Sequence, residues 1–213
     1  MKATPVRLAA TLLIAAVAHS ACGGERYQPL RAGDPAPTFE AATIDGQPFR
    51  IGGEGQPALV NVWATWCIPC REEMPALQQL HERFGNAGLR VIGVNIDVGS
   101  DRPVLAFLDQ VGVTYLNLRD PKDRITTTYR LVGVPETILI DASGHVAHRW
   151  IGRFDPVSDQ ALAIVRRVLA DTGAAVPLAT GAGTAITSDR EPDQQPLHRS
   201  SPCVQRSVLS CSP

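Results

Sequence analysis

Two cysteines three residues apart, set where a strand should end and a helix begin, constrain this chain more than anything else in it. Ala58 to Trp63 is apolar apart from Asn61 and leads through Ala64-Thr65-Trp66 into Cys67-Ile68-Pro69-Cys70. Met74, Leu77, Leu80, His81 and Phe84 then recur at helical spacing, with Arg71, Glu72, Gln78, Gln79, Glu82 and Arg83 elsewhere. The pattern predicts a strand buried on both faces, a turn, and a helix opening at the first cysteine. The first N–H groups of a helix lack intrahelical partners and its dipole is positive there, so the Cys67 sulfur sits where a thiolate is favoured. Cys70 lies one turn further in. The spacing lets the pair close a small disulfide without moving the backbone, so that one thiol attacks a foreign disulfide and the other resolves the mixed intermediate.

Other readings of the pair fit less well. Structural zinc needs four ligands, usually a second close cysteine or histidine pair, and the remaining cysteines, Cys22, Cys203 and Cys211, fall in the two ends of the chain. Two inert buried cysteines do not suit the first turn of a helix beside Trp63 and Trp66. A redox dithiol remains, with no metal and no cofactor expected.

The stretch Asn61-Val62-Trp63-Ala64-Thr65-Trp66-Cys67-Ile68-Pro69-Cys70, with Glu73-Met74-Pro75 after it and Gly133-Val134-Pro135-Glu136-Thr137 further along, resembles the TlpA/ResA/DsbE-type thiol–disulfide oxidoreductases. The likeness covers roughly residues 35–170. It implies an α/β, thioredoxin-like fold with an N-terminal β-hairpin and a central helix–strand insertion. It also implies a membrane-tethered protein serving cytochrome c maturation, with apocytochrome c as its protein disulfide client and a membrane reductase of the DsbD/CcdA type as electron source.

The 213 residues, 44% of them hydrophobic, suit one domain with a proper core plus ends. A formal charge of −1 offers no basic footprint for nucleic acid. Residues 1–21 carry Lys2 and Arg7, then an apolar run from Leu8 to Ala18, and read as a signal peptide. His19-Ser20-Ala21-Cys22-Gly23 resembles a lipoprotein cleavage site, which makes Cys22 a lipidation candidate and the membrane a partner; His19 departs from the usual aliphatic residue. Ala18-His19-Ser20 could instead serve ordinary cleavage, which would release the protein. Either processing puts the domain in an oxidising, extracytoplasmic space. Residues 22–36, rich in Gly, Pro and Arg, read as a tether, 37–172 as the thioredoxin-like domain, and 173–213, without aromatics, as a disordered tail carrying Cys203 and Cys211.

Within the domain, Thr38–Thr43 and Pro48–Ile51 read as a hairpin around Asp45-Gly46. Leu89–Ile96 reads as a strand, and Ser100–Leu118 as an inserted helix and strand. A short helix within Asp120–Tyr129, a hairpin from Thr137 to Ile151 and a closing helix from Asp155 to Leu169 complete the plan. Pro75 falls inside the first helix, where it removes a hydrogen bond and kinks the axis.

For the site, Cys67 is expected to be an exposed nucleophile with a lowered pKa, and Cys70 its resolving partner. Trp66 is expected to shield the pair and offer apolar surface to an unfolded client. Pro135 resembles the cis-proline that faces the active-site sulfurs. Where thioredoxins carry a buried aspartate to exchange protons with the resolving thiol, this chain has Asn61, whose amide cannot do so. Glu136 is the first candidate to replace it and Glu73, three residues past Cys70 on the same helical face, the second. His145 and His148 read as surface residues. A disulfide-forming oxidase of the same fold is the nearest rival, and a copper chaperone a more distant one needing a third ligand.

Overall fold

The computed structural model describes residues 27–173. The signal-like segment, Cys22, and the tail from residue 174 on lie outside the described residues. The centre is β3 (Ala58–Trp63), buried along its whole length. It runs into α1 (Ile68–Phe84), which ends through a 3-10 turn at Gly88 (φ +94°) and returns in β4 (Arg90–Asn95), parallel to β3. A second crossover through α2 (Arg102–Val111) brings β5 (Leu116–Arg119) parallel to β4. These are the two βαβ units that the alternation of strand and helix patterns demanded.

The hairpin β1 (Phe39–Thr43) and β2 (Pro48–Ile51) adds antiparallel to β5. A short α3 (Arg124–Thr128) follows, then β6 (Glu136–Ile140), antiparallel to β3, β7 (Val146–Ile151), antiparallel to β6, and α4 (Asp159–Ala170). The seven-stranded order is β2-β1-β5-β4-β3-β6-β7. One face packs Leu59 and Trp63 against Met74, Leu77, Phe107 and Val165 of the helices. The other packs Val60, Val62 and Ile138 against Ile125, Tyr129 and Phe39. Burial on both faces is why β3 carries no alternation in its sequence.

Three local expectations change. The tether reading fails from Tyr27 on: Leu30 and Ala36 are buried, Gly33 N–H donates to Val146 O (2.8 Å), and Val146 N–H donates to Asp34 O (2.9 Å). Backbone pairing with the edge of β7 holds this stretch, whatever its composition. The first hairpin turns through three residues rather than two, closed by Thr43 N–H on Gln47 O (2.7 Å), with Gly46 at φ +85°. The last helix starts at Asp159, because Ser158 is the cap, its hydroxyl accepting from Ala161 N–H (3.4 Å), and residues 155–157 form the turn before it.

One glycine is fixed by close approach. The indole N–H of Trp63 donates to Asn117 Oδ1 (3.0 Å) across β4, and a Cβ on Gly93 would lie 2.1 Å from that oxygen. Gly93→Ala should therefore lower unfolding stability by about 2 kcal/mol, the usual range for overpacking a core. A denaturant midpoint with unchanged m-value measures it.

Candidate active site

Cys67, Cys70, Pro135 and Glu136 lie at the end of the sheet where β3 and β4 finish and β6 begins, whereas His145 and His148 lie toward the β6–β7 turn at the other end. Cys67 caps α1, with φ −86° and ψ 100°, and its sulfur accepts from Cys70 N–H at 3.2 Å. Cys67 N–H in turn donates to Ala64 O (3.1 Å), which closes the turn after β3. Cys67 and Cys70 are joined by a disulfide, their Cα atoms 5.3 Å apart. Cys70 is fully buried. Cys67 is only 5% exposed, which corrects the expectation of an exposed sulfur: in the oxidised pair it is bonded to Cys70 Sγ and accepts from the Cys70 N–H. Outward exposure belongs instead to its neighbours, Trp66 at 66% and Ile68 at 67%, while Trp63 is wholly core. The Val134–Pro135 peptide bond is cis. Pro135 immediately precedes Glu136, which pairs with Val62 near the end of β3.

The register sends the two carboxylates to opposite faces of the sheet. Glu136 follows Pro135 but points away from the disulfide, because the register sets Val62 opposite Glu136 and Asn61 opposite Thr137, and successive strand side chains take opposite faces. Asn61 and Thr137 face α1, so Glu136 faces the other core. There its carboxylate is fully buried, ion-paired with Arg149, and accepts from Val132 N–H at 3.0 Å. Burial raises its pKa, against the pull of Val132 N–H and Arg149. The sequence did not reveal Arg149, since nothing local marks one arginine in β7 as the partner of a buried acid.

Glu73 is the carboxylate on the disulfide's side of the sheet. It is 2% exposed; Asn61 Nδ2 donates to its Oε1 (2.7 Å) and Phe154 N–H to its Oε2 (3.4 Å). Burial pushes its pKa up to about 7, against the Asn61 and Phe154 hydrogen bonds and the charge of Arg153. Residues three apart on a helix are neighbours, so Glu73 shares the face of Cys70. Asn61, read as a gap in the machinery, is thus the side chain that holds Glu73, and also donates to Thr137 Oγ1 (2.9 Å). A further group escaped the sequence reading: Asp97, beyond β4, accepts the backbone N–H of Thr65 at 2.9 Å and so pins the turn that carries Cys67.

A disulfide closed at the first turn of the helix after a central parallel strand, with a cis-proline immediately before the antiparallel strand beside it, places the chain in the thioredoxin-like class. Comparison with known proteins narrows the class. The AhpC/TSA family description matches residues 32–149. The thiol:disulfide interchange protein DsbE of Pseudomonas fluorescens biotype C is 36% identical over 128 residues, 59% of this chain and 69% of that one. The thioredoxin-like protein YneN of Bacillus subtilis is 33% identical over 155 residues, 68% of this chain and 89% of that one. A crystal structure of a Chlorobium tepidum protein described as a DsbE thiol:disulfide interchange protein superposes with a TM-score of 0.60 at 27% identity, covering 66% of this chain and 99% of that one. The chain belongs to the AhpC/TSA family and is a thiol–disulfide oxidoreductase of the DsbE and ResA type. No described helix is long and apolar enough to cross a membrane.

Proposed function

We propose that the protein works outside the cytoplasm as a dithiol reductant of protein disulfides, with the haem-binding cysteines of apocytochrome c as its client. The Cys67 thiolate attacks one client sulfur, forms a mixed disulfide and releases the first client thiolate. Cys70, once deprotonated, attacks Cys67 Sγ, releases the second client thiolate and closes the Cys67–Cys70 bond; two electrons pass to the client. Glu73 takes the Cys70 proton, and Glu136, on the other face, holds Val132 ahead of Pro135 instead. A membrane reductase of the DsbD/CcdA type returns electrons to the pair. The signal-like residues 1–21 and the lipid-accepting position of Cys22 support an extracytoplasmic, membrane-anchored site of action.

The observation that carries this reading is the disulfide at the cap of α1 with exposed Trp66 and Ile68 on either side of Cys67. An apolar rim around a nearly buried sulfur suits an unfolded chain better than a small polar disulfide. The test is the reduction potential of the pair, measured against glutathione or dithiothreitol buffers on full-length protein with Cys22, Cys203 and Cys211 changed to serine. A value near or below about −270 mV is expected, and a value near about −120 mV would make the protein a disulfide donor. Mass analysis of the mature N-terminus from membranes tests the anchor: a diacylglyceryl-modified Cys22 is expected, and an unmodified, released chain would refute it.

A further inference from the structure

Arg119, at the end of β5, is buried to 8% exposure although no carboxylate lies opposite it in the strand register; its neighbour across the pair is Asn95. Its guanidinium is used up on the last residue of β4 and the loop that follows. Nε donates to Asp101 Oδ1 (2.5 Å), Nη1 to Asn95 Oδ1 and Asp97 O (3.1 Å), and Nη2 to Gly99 O (3.4 Å). Asn95, oriented by that contact, passes the order on: its Nδ2 donates to Asp97 Oδ2 (2.8 Å), the oxygen that also accepts Thr65 N–H. One cation therefore fixes both the loop between β4 and α2 and the turn that carries Cys67. That loop presents Val98, at 86% the most exposed of the large apolar side chains described.

We propose that Arg119 is a positioning residue for the protein client: it holds residues 97–101 so that Val98 extends the apolar rim of Trp66 and Ile68, and the client chain rests on Val98 while its disulfide meets Cys67. The role rests on the reading of a protein disulfide as substrate. Burying a guanidinium is costly unless its donors are satisfied. Here three of the four acceptors lie beyond the end of β4 and the fourth, Asn95, is its last residue, which is the pattern of a loop anchor rather than of a core ion pair. A small disulfide meets Cys67 without reaching Val98 and gains nothing from the placement of that side chain.

The test uses the full chain and two disulfides, insulin and 5,5′-dithiobis(2-nitrobenzoate), with hydrogen exchange at the Thr65 amide as a third readout. Arg119→Met is expected to raise KM for insulin about fivefold, a larger loss than on the small disulfide, and to speed Thr65 exchange; Arg119→Lys should restore part of the loss. Val98→Ser, on the surface and safe for folding, should raise KM for insulin with Thr65 exchange unchanged, and it decides the matter even if Arg119→Met does not fold. An unchanged KM in Val98→Ser, or an equal loss on both disulfides in Arg119→Met together with a shifted reduction potential, overturns the proposal, the second by showing that the network tunes the disulfide itself. Wild-type protein that reduces neither disulfide refutes the reductase reading and the client role with it. Thr65 exchange then still reports whether Arg119 holds the turn, because it needs no turnover.

Discussion

Cys70→Ser is expected to stop after the first exchange and to accumulate a covalent complex with the client, stable in non-reducing electrophoresis and released by dithiothreitol. Turnover should fall by about a thousandfold or more, because nothing then attacks Cys67 Sγ from inside the protein. Cys67→Ser should lose turnover to the same extent and trap nothing. The asymmetry follows from position. Cys70 is fully enclosed and cannot reach a foreign sulfur, whereas Cys67 closes the turn beside exposed Trp66 and sits at the cap, where the first amides of α1 stabilise a thiolate. Complexes trapped by Cys67→Ser instead of Cys70→Ser would reverse the two roles.

Glu73→Gln should change both stability and rate with pH, in opposite senses. The Glu73 carboxyl is raised from its ordinary value of 4.5 to about 7 by burial. The folded protein thus holds this proton more tightly than the unfolded chain. Its contribution to stability is complete below about pH 4.5 and is lost as pH rises through about 7. A shift of that size corresponds to about 3 kcal/mol. Glutamine keeps the oxygen that accepts from Asn61 and cannot ionise. From pH 4.5 to pH 8 the stability difference should therefore move in favour of the oxidised variant by up to about 3 kcal/mol, on top of a pH-independent cost for the Phe154 N–H, which loses its Oε2 acceptor. Denaturant midpoints at the two pH values measure this. The kinetic effect runs the other way: with no group to take the Cys70 proton, resolution of the mixed disulfide at pH 7 should slow about a hundredfold, the lower end of what a positioned base supplies. A variant that shows this stability shift yet keeps the full rate and pH profile would leave Glu73 as a buried charge with no part in proton transfer.

The roles of the two glutamates show where the sequence stopped being legible. That Glu73 follows Cys70 on one helical face could be read from spacing alone. That it is buried could not, since Phe154, in the loop between β7 and α4, donates to it across 81 positions of sequence. Glu136 stood beside a motif proline, and proximity along the chain suggested proximity to the sulfurs. Strand parity decides otherwise, and parity depends on the register of β6 against β3, which no local pattern states. Residues 27–36 failed for a related reason: glycine, proline and arginine look like a tether until the edge of β7 offers their backbone a partner.

By itself the sequence determined the strand, turn and helix that bring Cys67 and Cys70 together, the two parallel crossovers, and the closing hairpin. These rest on periodicity and turn chemistry within a few residues, where propensity and pattern agree. Only the tertiary structure decided which carboxylate shares the disulfide's face, which arginine neutralises Glu136, and how Arg119 and Asp97 hold the turn before Cys67. Each of those depends on groups far apart in the chain meeting in a water-poor interior, where an unpaired charge or donor is costly and so its partner is fixed by packing rather than by neighbours in sequence.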